Sequence, residues 1–541
     1  VEEGQFADQN IGKRLSRTAP RVRLKQAIVL LWLSVFASVS TYSWQSTIDC
    51  ASVESNWPTY NRELSGIRFS GLAQIQSSNV AELVELCRVQ IAETGSISAG
   101  PVVIDGIMYV TSDNLTAAIS TTSCRLIWKV EYRPDEPEVL PNNRGVAFLA
   151  GHLFRGTGDG RLVSYDAITG QERWRVRIGD PGIGEFASAA PVTWNGLVYL
   201  GMSGGELGTR GRIMAFDADS GAPRWTFDLV PRSDQFGSNT WAGHSAEHGG
   251  GATWSSYTLD PNTGELFVSV DNPSPTFYGS VRAGDNLFTD SLVVLNAATG
   301  QRLWHYQLRK HDTFDYGASP PAVLLTIHGR QLIAQGSKDG YLYLIDRKSH
   351  RLAYKTPVTT VKEPATRRRS NESEICPGIS GGFLYNSPNF DPSTSTLISG
   401  TTDWCSKITV DRDAPKYQVR HEYSGGQQEH LGPGSGWITS VDASTGSVAW
   451  RFHTDFPVFS AVTSTAGGVT FAGDHGGDFF ALRTSDGAVL WKRQVQGSIA
   501  GGIITYKVLS KQYVALVAGN AALSPRVGSG PPSVFIYGLP N

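Results

Sequence analysis

Cysteine is scarce in this chain: there are five in 541 residues. None stands in Cys-x-x-Cys or Cys-x-x-Cys-His spacing, which argues against a zinc ribbon and an attached c-type haem. An excess of charge of either sign is also missing. The formal net charge of −2 gives no general attraction to nucleic acid or to a membrane surface. Long hydrophobic runs are absent except for residues 27–39, too short for a typical membrane span and the right length for a signal-peptide core. Lys13, Arg14, Arg17, Arg21, Arg23 and Lys25 precede that run, and Ser38-Val39-Ser40 forms a small-x-small cleavage site. Residues 1–45 therefore read as a signal peptide or an uncleaved anchor, with residues 46–541 as the folded domain. Either way that domain is expected outside the cytoplasm, periplasmic or secreted. Cys50 reads as an unpaired thiol in the N-terminal tail.

What the chain has in quantity is glycine (59) and tryptophan (14), a usage that fits a turn-rich all-β protein with aromatic anchors. One unit recurs: Tyr165-Asp-Ala-Ile-Thr-Gly170-Gln-Glu-Arg-Trp174, Phe216-Asp-Ala-Asp-Ser-Gly221-Ala-Pro-Arg-Trp225, Leu295-Asn-Ala-Ala-Thr-Gly300-Gln-Arg-Leu-Trp304 and Val441-Asp-Ala-Ser-Thr-Gly446-Ser-Val-Ala-Trp450. Weaker copies end at Trp128 and Trp491, and a decayed one runs from Ile345 through His350 to Tyr354. In each copy an apolar strand ends in an Asp-x-x-Thr-Gly turn, where glycine takes the positive φ, and a second strand carries the aromatic residue. Before most copies lies another hairpin, such as Pro101-Val-Val-Ile-Asp-Gly-Ile-Met-Tyr-Val110 with Asp-Gly at its tip. Four short strands repeated radially make a β-propeller. Each tryptophan would pack between neighbouring blades. Seven units are visible, and an eighth blade closed by both chain ends accounts for the remaining strands.

Glu206 lies in Gly201-Met-Ser-Gly-Gly-Glu206-Leu-Gly-Thr-Arg210-Gly, where glycines permit tight turning and close approach. Taken alone it is a solvated turn residue. Taken with the repeats, the chain resembles the pyrroloquinoline quinone (PQQ)-dependent alcohol dehydrogenases, eight-bladed quinoproteins of the methanol dehydrogenase type, over roughly residues 55–540. The docking repeat Ala-x-Asp-x-x-Thr-Gly-x-x-x-Trp is that family's tryptophan-docking motif, and some features are nearer a polyvinyl-alcohol-dehydrogenase-like branch.

The resemblance implies a Ca²⁺ site at Glu206, Asn272 (in Asp271-Asn-Pro-Ser-Pro) and Asp315 (in His311-Asp-Thr-Phe-Asp315-Tyr), with Asp315 also the general base. It implies PQQ contacts at Arg144, Ser188, Ser203, Gly204, Gly205, Lys338 and Asn386, with Trp254 as the floor beneath the cofactor. These types suit the task. A flat, anionic quinone wants an aromatic surface and cations at its rim, and a hard cation wants oxygen ligands. Gly317 stands where lanthanide-using members carry an extra Asp, which favours calcium.

Other positions depart from the family. An adjacent Cys-Cys pair before the Asn-Arg-Gly segment is missing, and the chain there reads Glu138-Val-Leu-Pro-Asn-Asn143. A glutamate near the quinone is replaced by Ser98, and a late aromatic-Gly loop reads Phe456-Pro-Val-Phe-Ser460. The resemblance also implies a disulfide Cys376–Cys405, and Cys87 then pairs with Cys124. The expected activity is oxidation of a small or polymeric alcohol, with electrons passed to a separate cytochrome c or other acceptor. The alternative is a non-catalytic propeller scaffold of the outer-membrane assembly type.

Three patterns carry less. Gly201-Met-Ser203-Gly-Gly205 fits G-x-S-x-G, but a strand rather than a helix should follow it. His244-Ser-Ala-Glu247-His248 fits H-x-x-E-H, yet the flanking glycines argue for a surface loop. Arg367-Arg-Arg369 reads as a solvated loop tip.

Overall fold

The Asp-Gly hairpin sets the pattern of the whole molecule. Asp105 and Gly106 adopt φ of 47° and 81°, a turn whose twist matches that of the two strands it joins, Val102–Ile104 and Ile107–Thr111. Leu115–Ser120 and Leu126–Glu131 complete an antiparallel four-stranded sheet, blade 1. The computed structural model describes residues 55–362, 371–521 and 529–540. The basic N-terminal segment, Cys50 and Arg367-Arg-Arg369 lie outside them. Among the described residues no helix is long and apolar enough to cross a membrane.

Seven more blades follow in order around the ring. Blade 2 begins at Ala147–Leu149 and ends at Glu172–Arg177, blade 3 runs from Val192–Trp194 to Pro223–Asp228, and blade 4 from Thr258–Asp260 to Arg302–Gln307. Blade 5 runs from Val323–Ile327 to Arg351–Pro357, blade 6 from Asn389–Asp391 to Val448–Thr454, and blade 7 from Thr463–Ser464 to Val489–Gln494. Blade 8 joins the chain's two ends. Its strands Ile503–Val508, Lys511–Ala518 and Ser533–Gly538 are completed by Val84–Gln90 from the N-terminal side, with Arg88 opposite Phe535.

Apolar residues of neighbouring blades interleave at every junction, including blade 8 against blade 1, where Ile504 and Ile536 meet Val103 and Ile119. The ring is closed: an eight-bladed, all-β propeller.

The docking tryptophans sit where the repeat places them. Trp225 lies against Gly300 of the next blade, so close that a Cβ there would stand 2.6 Å from the indole. Its Nε1 donates to the Ala297 carbonyl at 2.9 Å. Trp128, Trp174 and Trp450 meet Gly170, Gly221 and Gly487 in the same way, and each indole donates to a carbonyl of the next turn. Glycine is required at these turns twice over, for its positive φ and for the missing side chain.

Where the repeat has decayed, the junction is improvised. His350, at φ 56°, replaces the glycine and stacks on Trp304 at 4.2 Å, and the buried Trp304 Nε1 is left without a partner.

The junction that closes the ring is covalent. Cys124 (φ 56°) occupies the glycine position of blade 1, its N–H donating to Ser120 O as Gly170 donates to Asp166 O. Cys87 sits on the outer strand of blade 8. The Cys87–Cys124 disulfide spans the two, with Cα atoms 6.3 Å apart, and thus replaces a docking pair. The second expected bridge, Cys376–Cys405, is also formed.

Candidate functional site

Gly204 and Gly208, at φ 102° and 70°, bracket a single 3₁₀ turn, Gly205–Leu207, that carries Glu206. A strand, Arg212–Asp217, follows, so the G-x-S-x-G pattern has no nucleophile elbow. Ser203 Oγ lies 2.9 Å from Ser188 Oγ, which accepts from Arg144 Nη1 at 3.1 Å. The Arg144 guanidinium lies over two rings, 4.7 Å from the centroids of Trp254 and Tyr385, and its buried Nε has no partner. Trp254 Nε1 donates to Asp271 Oδ2, and Ser319 donates to the other Asp271 oxygen at 3.2 Å.

The expected metal and base residues meet at the next step. Lys338 Nζ donates to Asp315 Oδ2 at 2.6 Å. The Asn272 carboxamide turns its oxygen toward Asp315 Oδ1 (2.9 Å) and Asp271 Oδ2 (3.3 Å). Oxygen facing only oxygen is stable in two ways: the amide rotates so that its NH₂ donates to both carboxylates, or a cation lies among the three. Among the described residues no three His, Cys, Asp or Glu side chains gather at metal-binding spacing, so the amide oxygen and a bound group's own oxygens are needed to complete a coordination shell.

Electrostatics point the same way. Burial pushes the Asp315 carboxyl well above its ordinary range, Lys338 opposes this, and Asp271 and Glu206 add to the rise. Burial with Asp271 nearby likewise raises Glu206. Solvent reaches the Glu206 side chain, although protein atoms crowd around its carboxyl. Burial works against the Lys338 ammonium, but Asp315 and Asp271 outweigh it and leave its pKa raised. Three acids share Lys338 and the Arg144 guanidinium, which leaves the site short of positive charge, and a divalent cation fits it.

Asn386 joins from the connection that leads into blade 6. Its Nδ2 donates to Phe459 O at 2.6 Å and its Oδ1 accepts from Tyr60 Oη at 2.9 Å. Phe459, in the segment that departs from the family, packs with Tyr385 against Trp254, and Ser98 hydrogen-bonds Tyr385. The structure therefore links Arg144, Ser188, Ser203, Trp254, Asn272, Asp315, Lys338 and Asn386 through contacts, with Glu206 coupled to Asp271, Asp315 and Lys338 by charge. Asp271, Tyr385 and Tyr60 are central to that network and were not singled out from sequence. Asp271 and Tyr385 each adjoin a residue that was.

The H-x-x-E-H pattern forms a single 3₁₀ turn, Ser245–His248, in the connection between blades 3 and 4. Its histidines diverge. His244 pairs with Glu247 at 3.0 Å, while His248 stacks on Tyr417 at 3.5 Å.

A family model described as the β-propeller domain of PQQ glucose/ethanol/alcohol dehydrogenases matches residues 57–365. A second, for the outer membrane protein assembly factor BamB, matches residues 434–521, which hold docking repeats of blades 6 and 7 rather than the acidic centre. The quinohemoprotein alcohol dehydrogenase ADH-IIG of Pseudomonas putida is 30% identical over 88% of this chain and 75% of its own length. The lanthanide-dependent methanol dehydrogenase of Methylacidiphilum fumariolicum (strain SolV) is 28% identical over 86% of this chain and 84% of its own. Among solved structures, a europium-containing methanol dehydrogenase superposes with a TM-score of 0.84 at 25% identity, over 90% of this chain and 98% of that one.

Proposed function

Because the chain belongs to the PQQ-dependent alcohol dehydrogenase family, we propose that it oxidises an alcohol to an aldehyde or ketone at this centre, with Ca²⁺ and with Asp315 as general base. The observation that carries the proposal is the convergence of Asn272, Asp315 and Asp271 oxygens beside Lys338 and the Trp254 ring.

Trp254 offers a flat aromatic face, and Arg144, which lies over that ring, and Lys338, which pairs with Asp315, offer cations for an anionic ring system. Ser188, Ser203 and the Asn386 amide supply directed hydrogen bonds. Glu206, Asn272 and Asp315 would hold the metal ion. When bound, PQQ supplies the hydride acceptor and Ca²⁺ a Lewis acid. The protein's own task is to place the alcohol hydroxyl against Asp315 and remove its proton. A carboxyl raised by burial is a better base than an exposed one once it is ionised, and the Lys338 ammonium at 2.6 Å favours the ionised form against that rise. Electrons then leave to a separate carrier, with cytochrome c the expected partner. The basic N-terminal segment would export the domain to the periplasm or beyond.

Calcium, rather than a lanthanide, suits the packing. A Cβ on Gly317 would stand 1.7 Å from Asp271 Oδ1, so no additional carboxylate can be seated there without displacing Asp271.

The test is the purified protein incubated with PQQ and Ca²⁺ and assayed for alcohol-dependent reduction of an artificial dye. Reduction that chelation of the metal abolishes is the expected result. A protein that takes up no cofactor overturns the reading.

A further inference from the structure

Two strands of blade 6 are far too long for their blade. Thr396–Val410 and Gly426–Asp442 have 15 and 17 residues, where the corresponding strands of blade 3 have 5 and 6. At about 3.4 Å per residue the surplus of about ten residues carries this hairpin roughly 35 Å past the sheet. Its outer half is braced by strand Glu372–Ile375, which pairs with Thr409 to Ser406, and by the Cys376–Cys405 disulfide.

The tip, residues 411–425, makes contact on the far side of the ring. Tyr423 N donates to Glu206 O at 2.7 Å, and Phe277 N donates to Ser424 O at 2.7 Å. Arg420 Nη2 donates to Glu138 O at 3.0 Å. Glu138 lies in the connection between blades 1 and 2, opposite blade 6 in an eight-membered ring, and on the way the arm packs on Phe277 and Tyr316, the neighbour of Asp315, and bonds the Glu206 backbone, so it spans the face that carries the acidic centre. Tyr417 fastens it: the ring stacks on His248 with planes 17° apart, against Gly208, where a Cβ would come within 3.0 Å of Tyr417.

We propose that this arm determines specificity, screening the approach to Asp315 by size so that slender alcohols pass and branched or polymeric ones are held out. Tyr417 and Arg420 act by positioning the arm, not by touching the reacting atoms. The kinetic consequence rests on the alcohol dehydrogenase reading of the same centre; the steric claim does not.

Two measurements separate them. The first uses the full chain without cofactor, carrying Cys50→Ser and Glu206→Cys, and compares labelling by N-ethylmaleimide with labelling by a polyethylene-glycol maleimide. With the arm intact the small reagent reacts and the large one is excluded; adding Tyr417→Ala and Arg420→Ala abolishes that discrimination. If both reagents react equally in the presence of an intact arm, the proposal is overturned. Should the double variant fail to fold, Arg420→Ala alone, which gives up one exposed hydrogen bond, takes its place.

The second measurement compares kcat/KM for a branched and a linear alcohol in otherwise unaltered protein. The ratio should rise at least about tenfold on Tyr417→Ala, with the linear substrate's kcat and the melting temperature kept. An unchanged ratio in an active, folded variant defeats the screening role and leaves the dehydrogenase reading standing. Absence of turnover in the unaltered protein defeats the latter and leaves the labelling result to decide the former.

Discussion

The rim and the axis of this propeller are built on opposite principles. At the rim four of the eight junctions share one neutral, paired set: an indole, a glycine it fits, and a carbonyl that accepts its N–H. The same device is used again and again, so one weak copy, Trp304 on His350, does not open the ring. At the axis nothing repeats. Glu206, Asp271 and Asp315 crowd one lysine, with burial raising the Asp315 and Glu206 carboxyls. The rim thus holds the fold, and the axis stores a charge imbalance that the fold tolerates and a bound cation would relieve.

Substitutions at the two places should separate cleanly. The largest effect belongs to Asp315→Asn, which keeps size and shape but removes the base; dye reduction should fall by about 10²–10⁴-fold with the ring still folded. A variant that retains full turnover would move the base elsewhere.

Next comes the closure. Replacing Cys87 and Cys124 by alanine frees a loop of 37 residues and should cost about 4 kcal/mol in denaturant unfolding. Trp225→Ala should cost somewhat less, about 3 kcal/mol, since the indole is only partly buried. Neither should change kcat of the molecules that remain folded. If Trp225→Ala proves the more damaging, the covalent junction is not the one on which closure depends.

The smallest effect sharpens the contrast by testing a buried acid away from the centre. Asp474, in blade 7, is fully buried with Oδ2 unpaired, and burial raises its pKa to about 7. In the unfolded chain an Asp titrates near 4, so between about pH 4 and 7 the folded state holds the extra proton. Stability from this group is complete at the acid end and is lost as pH rises through 7. Asp474→Asn should therefore match the parent near pH 4 and be the more stable at pH 8. A stability difference that does not vary with pH contradicts the assignment.

The blades were readable in the sequence because each is written locally, in an Asp-x-x-Thr-Gly turn followed by an aromatic residue. The eighth was readable only through the requirement that a ring close. The expected site residues fall together because their segments were recognisable one by one. Their partners were harder to see: Tyr60 and Asn386 are 326 positions apart, and nothing near Tyr60 announces the contact.

The blade 6 arm was hidden for a different reason. Gln427-Gln-Glu-His-Leu-Gly-Pro-Gly-Ser-Gly436 has the polar, glycine-rich composition of a loop, yet it belongs to one continuous strand, held by pairing to its neighbour across fourteen registered positions. Cys87 in place of a docking tryptophan was likewise visible only once the blades were laid side by side.

The central claim is that oxygen donors from separate blades hold one cation at the axis. Metal analysis of the PQQ-loaded protein, compared with Glu206→Gln, tests it most directly. The expected result is a single calcium per chain that is lost in the variant while the melting of the ring is retained. Calcium kept at full occupancy by Glu206→Gln, or none found in the loaded parent, would contradict it.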